Sequence, residues 1–436
     1  MNALSSKTST ALKGAIRPPG DKSISHRAIM LGMLSIGTTK VSGLLEGEDV
    51  LATIDTARAL GAEIHQDGAD WIIHGVGVGG LQQPQDVLDM GNAGTACRLM
   101  MGILATHPIQ CFLSGDSSLR GRPMQRVITP LEAMGARFET TETRLPLMMV
   151  GAPQPVPITY TLPVASAQVK SAVMFAGLNC AGITTVIEDT PTRDHTERML
   201  PLFGATVAVH QDENGANHIA LQGHQELHGT ELSVPADISS AAFALVAAAV
   251  IPDSEIILKH IMNNATRNGI IETLQEMGAK ITLTAREDMC GEETVDIHIT
   301  HAPLKAVTVP AERVPSMVDE FPILAVAAAC AKGTSRFEHI GELRVKESDR
   351  LEETANMLRA AGVSVTTGED WMEITGQDHI IGGGTIKTGG DHRIAMSTMV
   401  LGSVCEQGMS ITDQRAIKTS YPEFVDQMQS LGCVFT

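Results

Sequence analysis

The sequence predicts an α/β protein of two domains, each built from three similar units of about 70 residues. Three observations support this prediction. The chain has 436 residues, which is more than one compact core usually holds. A helical stretch, a glycine and an alternating strand recur in that order six times along the chain. A second series of six helical stretches, which are apolar on nearly all sides, alternates with the first.

The first series is marked by glycines that follow amphipathic helical segments. A helix commonly ends with one residue at positive φ, and Gly adopts that conformation at the lowest cost. The residues that follow alternate between apolar and polar, as in 279–283, which is typical of a strand with one buried face. Neighbouring glycines lie 69 to 84 residues apart, and the six are Gly61, Gly135, Gly204, Gly278, Gly362 and Gly432.

The helical stretches of the second series are rich in Ala, Met and Leu and have almost no polar face, so we expect them to be buried. Each unit is therefore predicted to run strand, buried helix, strand, outer helix, strand. Three units fill about half of the chain, and a Pro-containing segment at 231–240 is the natural boundary. The six stretches begin near Ser23, Asn92, Ser166, Asp237, Val318 and Asp391.

Composition excludes several functional classes. The formal net charge of −18 disfavours nucleic acid and acidic membranes as partners, and only 3% of the residues are aromatic, too few for base-stacking surfaces. The seven cysteines form no CxxC pair, so we expect neither a disulfide framework nor a structural zinc site, and a reducing compartment fits. The longest apolar stretch, 241–251, is too short to span a bilayer, and no signal-peptide pattern precedes it. The P-loop, HExxH and GxSxG patterns are absent.

Clusters of charged and hydroxyl residues fall at the starts of the predicted helices. A helix N-terminus binds anions because its N–H groups are unpaired and its dipole end is positive, but one end contributes only about 0.3–1 kcal/mol. Several ends together with Arg and Lys side chains would bind phosphates and carboxylates strongly. Each cluster alone could equally consist of capping or solvated residues. The clusters are GDKSISHR (20–27), GNAGTACR (91–98), LRGRPM (119–124), ASAQVK (165–170), TRDHTE (192–197), SMVDEFP (316–322), RVKESDR (344–350), GGDHRIA (389–395) and IKTSYPE (417–423).

These motifs, in this order, resemble the 5-enolpyruvylshikimate-3-phosphate synthase family, from Lys22 to Phe424; GNAGTA, RVKESDRL and DHRIAM are the most specific to it. The resemblance implies a two-domain inside-out α/β barrel of six βαβαββ units, with helix N-termini facing a ligand cleft between the domains. Residues 1–19 and 235–436 would form one domain and residues 20–234 the other. The domains would close when the phosphorylated substrate binds.

The resemblance also implies a reaction. The enolpyruvyl group of phosphoenolpyruvate would pass to the 5-hydroxyl of shikimate 3-phosphate through a tetrahedral intermediate, with release of phosphate, in aromatic amino acid biosynthesis. No metal or organic cofactor is implied, and the enzyme would be a cytoplasmic monomer. Such chemistry needs a base for the hydroxyl, an acid/base at C3 of phosphoenolpyruvate, and cations around the phosphate and carboxylate groups.

The motif positions imply a role for each matching residue. Asp319 would accept the hydroxyl proton, Glu347 would serve as the acid/base at C3, and Lys22 would contact both substrates and share the proton transfer. The phosphoenolpyruvate-binding set would be Lys22, Asn92, Gly94, Arg122, Gln168, Arg350, Arg393 and Lys418. The shikimate 3-phosphate-binding set would be Lys22, Ser23, Arg27, Ser166, Gln168, Arg193, Asp319 and Lys346.

Two of these positions vary within the family. Arg193 follows one branch, whereas the other branch has hydroxyl residues there. Gly94 is replaced by Ala in some inhibitor-tolerant members, since a methyl group would crowd a ligand longer than phosphoenolpyruvate. The glycine therefore predicts inhibition by glyphosate, competitive with phosphoenolpyruvate.

Three alternatives remain open at this point. A UDP-N-acetylglucosamine enolpyruvyl transferase shares the fold, but it uses a loop Cys and a Lys-Asn pair where this chain has LRGRPM and Lys22-Ser23. A non-catalytic anion-binding protein of the same fold would lack the proton-transfer residues Lys22, Asp319 and Glu347, which are present. The chain could also be one part of a longer multifunctional protein, although its motifs span nearly its whole length.

Overall fold

The structure is a computed structural model that describes residues 3–436. None of the helices in this range is both long and apolar enough to cross a membrane. The α-helices of residues 3–436 are α1 (Lys22–Leu34), α2 (Glu48–Ala59), α3 (Gly94–Ala105), α4 (Ser117–Gly121), α5 (Gln125–Ala133), α6 (Ala167–Gly177), α7 (His195–Met199), α8 (Ile238–Val250), α9 (Gly269–Glu276), α10 (Phe321–Ala329), α11 (Arg350–Ala360), α12 (His392–Gly402) and α13 (Phe424–Leu431).

Most strands are four to seven residues long and lie between these helices. The strands of the described range are β1 (Leu4–Lys7), β2 (Lys13–Ile16), β3 (Ser35–Ile36), β4 (Thr38–Ser42), β5 (Glu63–Asp67), β6 (Asp70–His74), β7 (Leu88–Asp89), β8 (Gln110–Ser114), β9 (Arg137–Thr140), β10 (Leu147–Val150), β11 (Thr159–Thr161), β12 (Ile183–Glu188), β13 (Val207–Gln211), β14 (Asn217–Gln222), β15 (Leu227–His228), β16 (Glu231–Ser233), β17 (Glu255–Met262), β18 (Lys280–Ala285), β19 (Thr294–Thr300), β20 (Thr308–Val309), β21 (Thr334–Phe337), β22 (Ser364–Thr367), β23 (Met372–Thr375), β24 (Thr385–Ile386), β25 (Met409–Ile411) and β26 (Val434–Phe435).

Six four-stranded sheets repeat one pattern of pairing. In every sheet the first pair of strands is parallel and the next two pairs are antiparallel. A short pair, β15 with β3, stands apart from them. The strand orders are β16-β4-β6-β5, β7-β8-β10-β9, β11-β12-β14-β13, β2-β17-β19-β18, β20-β21-β23-β22 and β24-β25-β1-β26.

The chain divides into two compact units. The terminal unit contains residues 3–19, 235–288 and 293–436, and the middle unit contains residues 20–234 and 289–292. Each unit holds three of the four-stranded sheets. The N-terminal strands β1 and β2 complete two sheets of the terminal unit, and β16 completes the first sheet of the middle unit. The short segment 289–292 lies in the middle unit although both of its flanking strands belong to the terminal unit.

The local signals of the repeat are confirmed. All six predicted helix-ending glycines have positive φ, between 85° and 117°. The six apolar helices are α1, α3, α6, α8, α10 and α12, and every residue of α8 and α10 is buried. Carboxylate or hydroxyl oxygens of Asp21, Ser166, Asp237 and Asp391 cap four of them by accepting backbone N–H groups.

The single strand after each outer helix that the residue pattern predicts is wrong, whereas the βαβαββ unit that the family resemblance implies is confirmed. Five of the six units have a hairpin there: β5–β6, β9–β10, β13–β14, β18–β19 and β22–β23. The second strand of each hairpin lies between two neighbours. In β10 it is the apolar run LMMV, whereas β19 (TVDIHIT) and β23 (MEIT) alternate between apolar and polar residues. In the sixth unit the N-terminal β1 takes this place, beside β26.

Candidate active site

The GDKSISHR motif forms the first turns of α1 in the middle unit. Asp21 caps the helix, with its Oδ1 accepting the N–H of Ile24 at 2.8 Å. Lys22 is the first helical residue, and its Nζ donates to Asp49 Oδ2 at 2.8 Å. About a fifth of the Lys22 side chain is exposed (21%), whereas Asp49 is buried. The Asp49 carboxylate thus holds the ammonium group of Lys22 in place, while the Lys22 side chain remains partly exposed to solvent.

Arg27 lies one turn further along the same helix and is almost fully buried, with 2% exposed. Its guanidinium donates to Thr196 Oγ1 (2.8 Å), Ser171 Oγ (2.7 Å) and the Ser23 carbonyl oxygen (2.9 Å). These bonds use three of its five N–H groups. The pKa of Arg27 is lowered to about 10, mainly by burial. The charges of Glu197 and Asp21 oppose this shift, and the nearby charge of Arg193 adds to it. Two cations, Arg27 and Arg193, are therefore neighbours at the TRDHTE motif.

The GNAGTACR and LRGRPM motifs are joined by Arg122. Its Nη2 donates to Asn92 Oδ1 at 2.7 Å and to Ser118 Oγ at 3.2 Å, and Asn92 Nδ2 donates to Asp116 Oδ2 at 2.6 Å. Gly94 is the first residue of α3, and a Cβ at this position would lie only 2.6 Å from Arg122 Nη1. Because Gly94 has no side chain, the Arg122 guanidinium can occupy this space.

Gln168 connects the ASAQVK motif to the same loop. Its Nε2 donates to Thr95 Oγ1 at 2.9 Å, and its Oε1 accepts from Arg98 Nη1 at 3.0 Å. Arg98 Nη2 also donates to the Pro123 carbonyl oxygen at 3.1 Å. Ser166 caps α6, accepting the N–H of Val169 at 3.4 Å. One arginine thus links three of the motifs that the sequence singles out.

In the terminal unit, Arg350 gathers three carboxylates. Its Nε lies 2.8 Å from Asp391 Oδ2, its Nη1 lies 3.1 Å from Asp319 Oδ1, and its Nη2 forms an ion pair with Glu347. Burial alone would lower the pKa of Arg350, but the charges of Asp391, Glu347 and Asp319 outweigh it and raise the pKa above its usual value. Lys346 Nζ lies 3.8 Å from the same Asp319 oxygen.

Two further cations of the terminal unit differ in their surroundings. Arg393 is the second residue of α12, and its Nη1 lies 3.5 Å from Oε1 of the fully buried Glu320. Ser239 bonds the same carboxylate. Lys418 is exposed on a 3-10 helix, Arg415–Thr419, and its side chain forms no hydrogen bond or ion pair with the residues that the structure describes.

The predicted residues divide between the two compact units. The group of the middle unit is Lys22, Ser23, Arg27, Asn92, Gly94, Arg122, Ser166, Gln168 and Arg193. The group of the terminal unit is Asp319, Lys346, Glu347, Arg350, Arg393 and Lys418. Sequence reasoning gave no role to the residues that orient these groups: Asp49, Arg98, Glu320 and Asp391. The last three stand within the singled-out motifs; only Asp49 lies outside them, with no local signal beyond its place in the first turn of α2.

Comparison with known proteins identifies the family. The model of the family described as EPSP synthase (3-phosphoshikimate 1-carboxyvinyltransferase) matches residues 6–428. The chain belongs to the EPSP synthase family. It is 54% identical to a 3-phosphoshikimate 1-carboxyvinyltransferase of Paramagnetospirillum magneticum, over 98% of this chain and 97% of the relative. The corresponding protein of Rhodospirillum rubrum is 53% identical, over 97% and 96% of the two chains.

Solved structures of the EPSP synthase family share the fold. An EPSP synthase from Acinetobacter baumannii superimposes with a TM-score of 0.87 at 42% identity, covering 100% of this chain and 99% of the other. A second structure from the same organism has a TM-score of 0.86 at 40% identity. The chain is therefore a transferase that moves the enolpyruvyl group of phosphoenolpyruvate to shikimate 3-phosphate in aromatic amino acid biosynthesis.

Proposed function

We propose that Asp319, Glu347 and Lys22 transfer the protons of this reaction and that the surrounding cations hold its two anionic substrates. The observation that carries the proposal is the Arg350 cluster. The buried Arg350 guanidinium contacts the carboxylates of both Asp319 and Glu347. Two groups that can accept or donate protons therefore lie beside the same side chain. Such pairs of carboxylates are typical of acid–base catalysis.

The chemistry requires two proton transfers at different atoms. The 5-hydroxyl of shikimate 3-phosphate loses its proton as its oxygen forms a bond to C2 of phosphoenolpyruvate, while C3 gains a proton. The tetrahedral intermediate then breaks the bond from C2 to the phosphate oxygen and loses a C3 proton, which restores the double bond. In the proposal, Asp319 takes the hydroxyl proton, Glu347 serves C3 in both steps, and Lys22 shares the proton transfer.

Cationic side chains and helix N-termini supply the binding. Phosphoenolpyruvate carries a phosphate and a carboxylate, which suit bidentate Arg side chains. We assign it to Lys22, Asn92, Gly94, Arg122, Gln168, Arg350, Arg393 and Lys418. We assign shikimate 3-phosphate to Lys22, Ser23, Arg27, Ser166, Gln168, Arg193, Asp319 and Lys346. Exposed Lys418, which has no partner among residues 3–436, would gain one from the ligand.

The test is phosphate release from phosphoenolpyruvate by the purified protein with no metal added. Release should require shikimate 3-phosphate, and UDP-N-acetylglucosamine should not replace it. Asp319→Asn should abolish the release while shikimate 3-phosphate still binds. Release with UDP-N-acetylglucosamine alone, or full activity of the Asp319→Asn variant, would contradict the proposal.

We also propose that the enzyme works as a cytoplasmic monomer without nucleic acid or membrane partners. The net charge of −18 disfavours nucleic acid and acidic membranes as partners, and the seven cysteines without a CxxC pair suit a reducing compartment. Light scattering coupled to gel filtration should give a mass near 46.2 kDa. A dimer mass at micromolar concentration would contradict the monomer.

A further inference from the structure

The turn between β18 and β19 is a feature that the proposed mechanism does not use. Its tip, 289–292, belongs to the middle unit, while both strands belong to the terminal unit. Met289 and Glu292 exchange two backbone hydrogen bonds of 2.9 Å. The two residues between them, Cys290 and Gly291, have φ of 52° and 75°, as in a tight two-residue hairpin turn. The direction of the Glu292 side chain is therefore fixed by a rigid turn.

Glu292 is fully buried against α7. Its Oε1 lies 2.7 Å from Nδ1 of His195, which is also 0% exposed. Because a carboxylate only accepts hydrogen bonds, the Nδ1–H of His195 is the donor. Arg198 Nη1 donates to the Gly291 carbonyl oxygen at 3.2 Å, and the Cys290 thiol donates to the Ser233 carbonyl oxygen at 3.2 Å. Side chain and backbone thus both attach the tip to the middle unit.

Ligand atoms of Asp194, His195 and Glu292 lie within 4.8 Å of one another, a spacing that could suit a metal ion. The Arg198 guanidinium already supplies positive charge beside these carboxylates. Arg198 Nε lies 2.7 Å from Asp194 Oδ2 and 3.6 Å from Glu292 Oε2. The cluster is therefore an ion-paired, hydrogen-bonded attachment of α7.

Helix α7 has only five residues, too few to be stable without tertiary contacts. Its second residue, Thr196, accepts from Arg27 Nε at 2.8 Å and donates to Ser171 Oγ at 2.8 Å. On its other side, buried Lys170 forms ion pairs with Glu197 (2.7 Å) and Glu188 (3.0 Å). The position of the Arg27 guanidinium therefore depends on how firmly α7 is held.

We propose that Glu292 is a positioning residue for the shikimate 3-phosphate site. It acts through His195 and α7, and thereby fixes Thr196, Arg27 and the adjacent Arg193. The inference rests on the assignment of Arg27 and Arg193 to shikimate 3-phosphate made above. It predicts that Glu292, which lies 97 positions beyond His195 in the turn between β18 and β19, controls the affinity for shikimate 3-phosphate and not that for phosphoenolpyruvate.

The test separates the two substrates kinetically. Glu292→Ala should raise the KM for shikimate 3-phosphate by about tenfold or more, since it removes a buried hydrogen bond to an ionised group. The KM for phosphoenolpyruvate and kcat should stay within about twofold, because the binding of shikimate 3-phosphate is weakened equally in the ground state and in the transition state. Glu292→Gln retains an acceptor for His195 and should restore much of the affinity. The exposed neighbour provides the matched control, Glu293→Gln, which should behave like the parent.

The outcomes are distinguishable. Unchanged KM for shikimate 3-phosphate in Glu292→Ala, or an equal rise for both substrates, would overturn the inference. If the Ala variant does not fold, Glu292→Asp is measured instead. It keeps the charge but shortens the side chain, and it should also raise the KM for shikimate 3-phosphate. Arg27→Gln is measured in parallel. If it raises this KM and the Glu292 variants do not, only the positioning role fails; if neither does, the assignment of Arg27 fails.

Discussion

Replacement of Gly94 by Ala tests how the phosphoenolpyruvate site is built. Gly94 does not have a positive φ, so Ala fits the backbone, and the fold should be retained. The added methyl group would lie 2.6 Å from Arg122 Nη1 and 3.2 Å from Arg98 Nη1. Ordinary van der Waals contact begins near 3.4 Å. The Arg122 guanidinium must therefore retreat by about 0.8 Å, or turn.

The magnitude follows from the bonds of Arg122. Its 2.7 Å bond to Asn92 Oδ1 would lengthen to the limit of a hydrogen bond if the guanidinium withdrew along it. Loss of one bond to a charged group costs about 1.5–3 kcal/mol. If phosphoenolpyruvate loses the corresponding contact with Arg122, its KM should rise by about 10- to 100-fold. The KM for shikimate 3-phosphate should change by less than about twofold.

The assay is initial-rate phosphate release at saturating shikimate 3-phosphate while phosphoenolpyruvate is varied. The chain offers a matched control in Gly121, next to Arg122, where an added Cβ meets nothing within 4 Å. Gly121→Ala should keep the parental KM. An unchanged KM for phosphoenolpyruvate in Gly94→Ala, or an equal rise in both variants, would refute the reasoning.

Three further predictions concern the acid/base, an inhibitor and the thiols. Glu347→Gln should lower kcat by about 100-fold or more with little change in substrate binding, while the exposed control Glu338→Gln keeps the parental kcat; similar rates in both would exclude Glu347 as the acid/base. Glyphosate should inhibit competitively with phosphoenolpyruvate, and Gly94→Ala should weaken it; undiminished activity at millimolar glyphosate would contradict this. Burial raises the pKa of all seven thiols, that of Cys97 to about 12, so iodoacetamide at pH 8 should label the native protein slowly and the unfolded protein fully. Fast labelling of native protein would show an accessible thiolate.

The fold was predictable where its signals are local. A glycine at positive φ after a helix and a helix without a polar face are both properties of short segments, and all six of each are found where the sequence indicates. The residue pattern alone predicts one strand after each outer helix, and the second strand of each hairpin follows only from the βαβαββ unit that the family resemblance implies. The placement of β1 beside β26 was beyond pattern analysis, because the paired residues Ser6 and Phe435 stand at opposite ends of the chain.

The position of the motif residues at helix starts was predictable from the sequence, and the partners that orient them were not. Motif residues collect at helix starts, and the family resemblance assigns them roles. The bond between Arg98 and Gln168 joins residues 70 positions apart, and that between His195 and Glu292 joins residues 97 apart. Such partners are selected by tertiary packing, and neither periodicity nor capping indicates them.

The Arg350 cluster shows why motif membership does not decide a residue's role. Asp391, from DHRIAM, is fully buried and accepts from Ser348 Oγ (3.0 Å), Arg350 Nε (2.8 Å) and the Arg393 N–H (2.9 Å). It serves to hold Arg350 and to start α12. Asp319 and Glu347 contact the same guanidinium, but their side chains are 15% and 18% exposed. A group that exchanges protons with a substrate must be reached by it, and exposure therefore separates these two carboxylates from the third.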